Sequence, residues 1–258
     1  MLSKSQIQLI TSLRINKFRR INGRFIAEGP KLVQELLLSS YTAETLYATE
    51  EWIHENRPRI KKDFQIIPVT ENELNRISAL KKPNQVLAVV KIPDQPNQLP
   101  DMDKNLVLML DNISDPGNLG TIIRTADWFG VQHIICSENC ADVYNPKVVQ
   151  ATMGSIFRIK IQYKLLKKIL QTLPVEIPIY GTLLDGNNIY DADLENKGVI
   201  LIGNESHGIN ESLLPFIKKK IRIPDYSPEK SSSAESLNAS IAAAIVLAEF
   251  RRRFPQVK

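Results

Sequence analysis

The hydrophobic positions in residues 98–258 form short apolar runs that alternate with amphipathic stretches. The runs have the length and continuity of strands buried on both faces, and they are LVLMLDN, VQHIICS, IPIYGTL, GVILIGN and the shorter IRIP. Helical periodicity occurs between them, in TIIRTADWFG, PKVVQATMG, LLKKILQTL, the proline-interrupted NESLLPFIKKK and the final SLNASIAAAIVLAEFRRR. Strands that alternate with helices predict a mainly parallel sheet covered by helices on both faces.

Residues 1–97 predict a smaller α/β domain. A helix is expected over residues 3–15, a short strand at Phe25–Ala27, and a second helix that opens at Gly29-Pro30, where proline suits the first turn. Further strands are expected in ETLYAT, FQIIPVT and QVLAVVKI, with helical ENELNRIS among them. The segment Ile92–Lys104 contains three prolines and three aspartates, which is typical of a linker. We therefore predict two domains, residues 1–97 and 98–258.

Positive charge is concentrated in the N-terminal domain. The formal net charge is +5, and residues 1–97 supply it with 15 Lys+Arg against 10 Asp+Glu, whereas residues 98–258 have 18 of each. Near Glu28, the densest group of cations is Arg14, Lys17, Arg19, Arg20, Arg24 and Lys31. Such a group can neutralise phosphates and release counterions, so it predicts nucleic-acid binding. A solvated helix face is the alternative interpretation.

Composition argues against several protein classes. No apolar run reaches the about 18 residues that a membrane span needs, and the N-terminal MLSKSQIQLI lacks the apolar core of a secretory signal. We expect a cytoplasmic protein with no membrane partner. Cys136 and Cys140 are the two cysteines, with His133 close by, whereas a structural zinc site needs about four ligands. Two reduced thiols near a strand end, and no metal, are therefore expected.

Three polar, glycine-containing loops follow predicted strands, and they are DNISDPGNLG, GNESHG and PDYSPEKSSSAES. Parallel sheets bind ligands beyond the carboxyl ends of their strands, so these loops are expected to meet at one edge. The first loop, Asn112–Gly120, precedes a predicted helix over Thr121–Gly130, and helix N-termini attract anions. The loop has neither the GxGxxG nor the P-loop pattern, which argues against a dinucleotide or P-loop site.

The polar side chains of the first two loops also have structural interpretations. Arg124 lies one turn inside the predicted helix, where it can reach back to the loop or form a salt bridge with Asp111. Glu205 is a candidate cap of the next helix, and His207 a candidate solvated loop residue.

The third loop leads into the last predicted helix. Ser236 resembles its N-cap, with Asn238 in the first turn. Leu237, Ile241 and Ile245 repeat at a spacing of four residues and predict a packing stripe.

Taken together, the three loops form a pattern that is specific to one protein family. The strings DPGNLGTIIRTADWFG, LIGNESHGI and IPDYSPEKSSSAESLNASIAAAI, in this order, resemble the three motifs of the SpoU (TrmH-like) RNA methyltransferases of the SPOUT superfamily. This resemblance covers about residues 104–254. The N-terminal LRINKFRRINGRFIAEGPKLVQELL is similar to the ribosomal-protein-like substrate-binding domain of the same family.

The resemblance implies a fold, a cofactor and a site. The fold is an α/β sheet whose C-terminal segment forms a trefoil knot, a known exception to the rule against knots. S-adenosylmethionine would be held by Thr182, Leu183, Gly203, Ile223 and Leu237. The polar residues of the family correspond to Asn118, Arg124, Glu205, Ser236 and Asn238. Family members act as homodimers, with the site near the subunit interface, and the reaction needs no metal.

The implied reaction is methyl transfer to a ribose 2′-hydroxyl, and the N-terminal domain favours ribosomal RNA over tRNA as the substrate. Because a guanidinium is effectively always protonated, we expect Arg124 to bind a phosphate and to stabilise the developing alkoxide. Asn118 and Asn238 would orient groups by hydrogen bonding. Glu205 would fix Arg124 or the loop, and Ser236 would complete the helix cap and the pocket. RNA contacts are expected from Arg14, Lys17, Arg19, Arg20 and Arg24.

One departure from the family concerns the third motif. Eleven residues, Asp225–Glu235, separate Pro224 from Ser236, where the family usually has about six, often with glycine. Three other functions stay open. They are a tRNA 2′-O-methyltransferase, a non-catalytic RNA-binding protein of the same fold, and a different α/β enzyme with a nucleotide substrate, such as a kinase.

Overall fold

The computed structural model describes residues 1–60, 64–94, 98–226 and 236–254. Most of the Asp225–Glu235 loop, residues 227–235, therefore lies outside the described residues. The chain forms two compact units. Unit 1 comprises Met1–Gln95 and Asp142–Arg158, and unit 2 comprises Pro96–Ala141 and Ile159–Lys258. Asp142–Arg158, which we expected in the C-terminal domain, thus belongs with the N-terminal residues.

The helices and strands are numbered in chain order. The described α-helices are α1 (Lys4–Ser12), α2 (Asn16–Asn22), α3 (Pro30–Leu37), α4 (Glu50–Asn56), α5 (Glu71–Ile77), α6 (Pro116–Trp128), α7 (Pro146–Thr152), α8 (Leu166–Thr172) and α9 (Ala239–Arg253). The described strands are β1 (Arg24–Glu28), β2 (Ala43–Ala48), β3 (Gln65–Pro68), β4 (Val86–Lys91), β5 (Leu106–Leu110), β6 (His133–Cys136), β7 (Lys160–Tyr163), β8 (Ile179–Asn188), β9 (Gly198–Ile202) and β10 (Lys219–Arg222). Short 3₁₀ helices occupy Arg57–Arg59, Ser155–Phe157 and Glu211–Phe216.

Unit 1 contains a four-stranded sheet in the order β1-β4-β2-β3, in which only the β2–β3 pair is parallel. Its core contains Ile10, Leu13, Ile26, Leu87 and Val89, which connect α1 to the sheet. The expected helix over residues 3–15 is shorter, because α1 ends at Ser12 and a second helix, α2, begins at Asn16. This second helix carries three of the six cations of the basic group, Lys17, Arg19 and Arg20.

Unit 2 contains a six-stranded sheet in the order β10-β8-β9-β5-β6-β7, and every pair in it is parallel. Its core contains side chains of β5, β6, β8 and β9 packed against α8. The expected mainly parallel sheet, preceded by a smaller α/β domain, is confirmed. No helix in the described ranges is long and apolar enough to cross a membrane.

The structure corrects several expected elements in unit 2. Helix α6 begins at Pro116 rather than Thr121, so half of the first predicted loop is helical. The segment NESLLPFIKKK forms a 3₁₀ helix and the start of β10, because Pro215 interrupts the helix. Strand β7 was not predicted. Its four residues are too few to show an alternating pattern.

Arg19 is a structural residue of unit 1, and its burial argues against the expected contact with RNA. Its side chain is 2% exposed and makes two hydrogen bonds to the Asp142 carboxylate, at 2.9 and 2.5 Å. A third hydrogen bond, at 2.9 Å, reaches the carbonyl of Leu13. Because a buried charge needs a partner, this ion pair fixes α2 to the segment that begins at Asp142.

Two more arginines of the basic group are engaged within unit 1. Arg24 forms a half-buried salt bridge with Glu44, and this contact lowers the pKa of the Glu44 carboxyl group. Arg14 donates to the carbonyls of Ile77 and Ser78, at 3.2 and 2.6 Å. Glu28, the expected neighbouring acid, instead accepts hydrogen bonds from Ser78 and Ala79.

We predict that Arg19→Ala lowers the free energy of unfolding by about 3 kcal/mol, because it leaves the Asp142 carboxylate without its partner. Urea denaturation followed by circular dichroism measures this change. Lys17→Ala is the control, since Lys17 is an exposed cation on the same helix and its loss should change stability by less than about 0.5 kcal/mol. Equal effects of the two substitutions would contradict the structural role of Arg19.

Candidate active site

A bulge in β8 forms one wall of a cavity in unit 2. Strand β10 pairs Lys220 with Gly181 and the next residue, Ile221, with Asn187, so residues 182–186 of β8 loop out between these pairs. Gly186 permits the bulge to close, because a Cβ at this position would lie 2.6 Å from the backbone carbon of Ile221. The bulge therefore contains the two cofactor positions expected in β8.

The cavity has a volume of about 790 Å³, and it is lined by the β8 bulge, the turn after β9 and residues at and after the end of β10. All five positions expected to hold the cofactor line it, namely Thr182, Leu183, Gly203, Ile223 and Leu237. Glu205 and Ser236 also line it. The volume falls within the range of about 300–1,000 Å³ that is usual for small-molecule sites. The structure thus brings residues of the β8 bulge, of the turn after β9 and of the segment after β10 around one concave surface.

The turn after β9 is held by Asn204. The backbone of Asn204 and Gly208 exchanges two hydrogen bonds, at 3.0 and 2.9 Å. The Asn204 side chain accepts from the backbone N–H of Ser206 and donates to the carbonyl of Asn112, at 2.8 and 2.9 Å. Asn112 itself has a φ of 57°, a left-handed conformation that asparagine tolerates better than most residues. Asn204 therefore joins the second loop to the first.

A chain of hydrogen bonds connects the three motifs. Asn118 Nδ2 donates to Glu205 Oε1, and Asn238 Nδ2 donates to Asn118 Oδ1 at 2.9 Å. The same Glu205 oxygen accepts from the backbone N–H of Ala239 at 3.3 Å. Asn238 Oδ1 then accepts from the backbone N–H of Ser240 at 3.0 Å. Asn118, Glu205 and Asn238 are thereby brought together, as expected from their shared assignment.

Two helix starts supply the asparagines of this chain. Asp115 caps α6 by accepting a hydrogen bond from the backbone N–H of Asn118 at 2.8 Å. Asn238 is the N-cap of α9, so the expectation that Ser236 caps this helix is wrong. Ser236 instead donates to the carbonyl of Glu205 at 3.0 Å, and it therefore still ties the third segment to the second.

Arg124 is exposed and forms no ion pair with any described residue. The alternative salt bridge with Asp111 is absent from the described part of the chain. Asp111 is buried and accepts a hydrogen bond from the backbone N–H of Asn210 at 2.8 Å. Glu205 contacts Asn118 rather than Arg124, so of its two expected roles, fixing the loop is the one observed. The guanidinium of Arg124 is available to a ligand.

Gly203 is required by the protein backbone itself. A Cβ at this position would lie 2.3 Å from the backbone carbon of Gly208 and 2.4 Å from the nitrogen of Ile209. Such distances are far below van der Waals contact, so any side chain here would force the turn after β9 apart. The absence of a side chain at Gly203 therefore allows the turn after β9 to close, and this turn forms part of the cavity wall.

The two cysteines lie below the first loop and are both buried. Cys140 accepts a hydrogen bond from the backbone N–H of Ile113 and donates to the carbonyl of Leu110, both at 3.3 Å. A hydrogen bond with Cys140, together with burial, raises the pKa of the Cys136 thiol. Within the described ranges, no three His, Cys, Asp or Glu side chains are placed to hold a metal ion.

Comparison with known proteins identifies the family. A model of the SpoU rRNA methylase family matches residues 105–248. The chain belongs to this family. A second model, of MRM3-like substrate binding domains, matches residues 4–88. The resemblance inferred from the three motifs is confirmed.

Individual SpoU relatives match nearly the whole chain. It is 30% identical over 245 residues to the 23S rRNA (guanosine(2553)-2′-O)-methyltransferase RlmP of Bacillus subtilis, covering 93% of each protein. A TrmH-family structure from Porphyromonas gingivalis is 37% identical with a TM-score of 0.88, covering 98% of this chain and 99% of that one. An AdoMet-bound rRNA methyltransferase from Sinorhizobium meliloti is 29% identical with a TM-score of 0.86, covering 99% and 97%.

Asn112 and Asn204 are the residues of this SpoU site that sequence analysis missed. Asparagine is favoured in tight turns, where its side chain bonds to the backbone two residues later, and this preference is the signal present in GNESHG. The bond from Asn204 to Asn112 has no sequence signal, because the two residues are 92 positions apart.

We predict that Asn238→Ser keeps the α9 cap but loses the bond to Asn118, whereas Asn238→Ala loses both. The alanine variant should therefore be less stable than the serine variant by about 1 kcal/mol. Urea denaturation of Asn118→Ala, Asn238→Ser and the double variant gives the coupling between the two side chains. We expect about 0.5–1.5 kcal/mol, and a coupling of zero would contradict the hydrogen-bond chain.

Proposed function

We propose that this SpoU protein transfers a methyl group from S-adenosylmethionine to a ribose 2′-hydroxyl of ribosomal RNA. The proposal rests mainly on one observation, that all five expected cofactor positions line a single cavity beside the hydrogen-bonded triad of Asn118, Glu205 and Asn238. It is further supported by the names of relatives that match nearly the whole chain, among them a 23S rRNA 2′-O-methyltransferase and an AdoMet-bound rRNA methyltransferase.

The cavity suits S-adenosylmethionine in chemistry as well as in size. Leu183, Ile223 and Leu237 give it apolar surface for an adenine ring, and Glu205 and Arg222 give it charges of both signs for the amino acid tail. The strands and turns that line the cavity also offer backbone N–H and C=O groups. These groups would form hydrogen bonds with the polar edges of the cofactor, so no dedicated side chain is needed. When bound, the cofactor supplies an electrophilic methyl group on a sulfonium.

The residues of the chain would position and stabilise the reacting groups. Arg124 has a free guanidinium, which can donate two parallel hydrogen bonds to a phosphate. It can also stabilise the negative charge that develops on the 2′-oxygen. Asn118 and Glu205 fix the start of α6, which carries Arg124, relative to the cavity. Asn238 and Ser236 hold the third segment at the cavity edge. Asn118, Glu205, Asn238 and Ser236 would thus contribute to catalysis by orienting the reactants.

We propose that α2 of unit 1 contacts the RNA. Lys17 and Arg20 are exposed and form no ion pair with any described residue. Arg19 and Arg24, by contrast, are in salt bridges, and Arg14 donates to two backbone carbonyls. The apolar side chains of Ile15, Phe18 and Ile21 are exposed on the same short segment, and Ile21 is 68% exposed. Cations for phosphates next to an exposed aromatic ring for base stacking form a surface suited to single-stranded RNA.

We also propose that the protein acts as a homodimer and that its C-terminal segment is knotted, as the resemblance to the SpoU family implies. Trp128 of α6 is 85% exposed and Ile241 of α9 is 51% exposed, and these two helices pack against each other in unit 2. Large apolar side chains of this kind mark a surface that a partner covers. A second copy of the chain is the partner we propose.

The test of the function is transfer of tritiated methyl from S-adenosylmethionine to ribosomal RNA from cells lacking the protein, with the product mapped as a 2′-O-methylated nucleotide. The same assay with tRNA tests the tRNA alternative. Binding of RNA without any binding of the cofactor would support the non-catalytic alternative, and hydrolysis of ATP would support the kinase-like one.

We predict that Arg124→Ala lowers methyl transfer by at least about 100-fold, because it removes the cation proposed to stabilise the negative charge that develops on the 2′-oxygen. Arg124→Lys should not restore the rate, since lysine lacks the planar fork. The unfolding free energy should change by less than about 0.5 kcal/mol, because Arg124 has no structural partner among the described residues. Arg59→Ala, which removes an exposed arginine of unit 1, is the control. Substantial turnover by Arg124→Ala would exclude the proposed role.

We predict that the double substitution of Lys17 and Arg20 by alanine weakens RNA binding and flattens its salt dependence. Two lost phosphate contacts should reduce the slope of log K against log salt by about 1.4–1.8. RNA titrations at several salt concentrations measure the slope. The control removes the same charge from Lys81 and Lys82, which are also exposed in unit 1. If both double variants have the same slope, α2 is not the RNA-contacting surface.

A further inference from the structure

The proposed transfer needs a group that accepts the proton of the ribose hydroxyl, and the residues assigned so far do not supply it. The guanidinium of Arg124 cannot be deprotonated in a protein. Asn118 and Asn238 carry amides, which do not titrate in water. The Oε1 of Glu205 already accepts hydrogen bonds from Asn118 and from the backbone N–H of Ala239, and a carboxylate is in any case a weaker base than an imidazole.

His207 lies in the same turn as Glu205, and its ring is oriented by Asn204. The imidazole Nδ1 lies 3.3 Å from Oδ1 of Asn204. This oxygen also accepts from the backbone N–H groups of Ser206 and His207, at 2.8 and 3.2 Å. The other end of the same amide donates from Nδ2 to the carbonyl of Asn112 at 2.9 Å, so the amide cannot be reversed without losing all of these bonds.

The contact with Asn204 determines which nitrogen of the imidazole carries the proton. An amide oxygen only accepts hydrogen bonds, so Nδ1 must be the donor. The neutral ring therefore has a free lone pair on Nε2. The backbone hydrogen bonds between Asn204 and Gly208, at 3.0 and 2.9 Å, hold the turn in place before any ligand binds. This arrangement fixes an imidazole with an accepting nitrogen.

His207 lines the same cavity as the five expected cofactor positions. Three charged side chains also face this cavity, and they are Glu205 in the same turn, Asp185 in the β8 bulge and Arg222 in β10. The Asp185 carboxylate is engaged by Lys220 at 2.7 Å. As a chemical class, an imidazole is a stronger base than a carboxylate, because the ordinary side-chain pKa is about 6.5 for histidine and about 4.3 for glutamic acid. A general base is most effective when its pKa lies near the working pH.

We propose that His207 is the general base of the methyl transfer, an inference that rests on the proposed function. Nε2 accepts the proton of the 2′-hydroxyl while the 2′-oxygen forms a bond to the methyl carbon. The carbon–sulfur bond breaks at the same time, and its electron pair stays on sulfur. The positive charge lost from the sulfonium appears on the imidazolium, so atoms and charge balance. Asn204 acts as a positioning residue that fixes the ring.

The kinetic test compares single-turnover methyl transfer by the full chain and by His207→Ala, with His207→Gln as a second variant that keeps the size and polarity of the side chain. We expect both to be slower by about 100-fold or more, with binding of S-adenosylmethionine, measured by calorimetry, within about two-fold of wild type. Added imidazole should restore part of the rate of His207→Ala. His54→Ala is the matched control, because His54 is an exposed histidine of unit 1.

The pH dependence and the tautomer give two independent readouts. The wild-type rate should rise as the imidazole loses its proton and then level off, and this limb should disappear in His207→Ala. The protein has three histidines, so a ¹⁵N spectrum of histidine-labelled protein assigns His207 by its absence in the alanine variant. We expect the neutral ring to carry its proton on Nδ1. This readout does not require the protein to be catalytically active.

The outcomes separate this inference from the proposed function. If wild type transfers methyl groups but His207→Ala keeps its rate and its pH profile, His207 is not the base. A ring protonated on Nε2 would also overturn the inference, because the accepting nitrogen would then face Asn204. If wild type neither binds S-adenosylmethionine nor methylates RNA, the proposed function itself fails. A variant that fails to fold is recognised by its thermal melt, and the tautomer of the wild-type ring then decides.

Discussion

The carboxylate of Glu205 sets the direction of the hydrogen bonds on which the site depends. A carboxylate only accepts, so Asn118 must present its amide N–H₂ to Glu205 and its oxygen to the other side. Asn238 must then donate to that oxygen, which turns its own oxygen toward the free N–H groups at the start of α9. One acceptor thereby fixes the orientation of two amides that lie 120 residues apart in the chain.

The topology of the sheet brings the backbone segments that carry Glu205 and Asn118 close together. In a parallel sheet all strands end at the same edge, so the turn after β9 and the start of α6 after β5 are neighbours because β9 and β5 pair directly. The β8 bulge then provides concavity at this edge, since five residues leave the plane of the sheet between two paired positions. The site therefore combines a consequence of topology with one local irregularity.

Sequence analysis predicted the parts of this arrangement that depend on local pattern. The strands β5, β6 and β9 are continuous apolar runs, and such runs predict buried parallel strands whatever surrounds them. The β8 bulge was not predictable, because it depends on how β10 pairs with a strand about 40 residues earlier. The start of α9 was misplaced by two residues, because Ser236 and Asn238 are equally good caps and only the contact with Asn118 selects Asn238.

The basic group shows why net charge identified the domain with the excess of cations but not the individual residues that are free to bind RNA. Sequence neighbours identified Glu28 as the local acid, whereas the partners of Arg19 and Arg24 are Asp142 and Glu44, which only the fold brings near. An arginine with such a partner has exchanged its water shell for a protein acceptor, and it could bind phosphate only by giving up that bond. Cations that the fold leaves unpaired incur no such cost. The distinction applies equally in unit 2, where Arg251 and Arg253 donate to backbone carbonyls while Arg124 stays free. Availability, rather than the count of positive charges, is therefore the property on which the proposed RNA contacts of this chain rest.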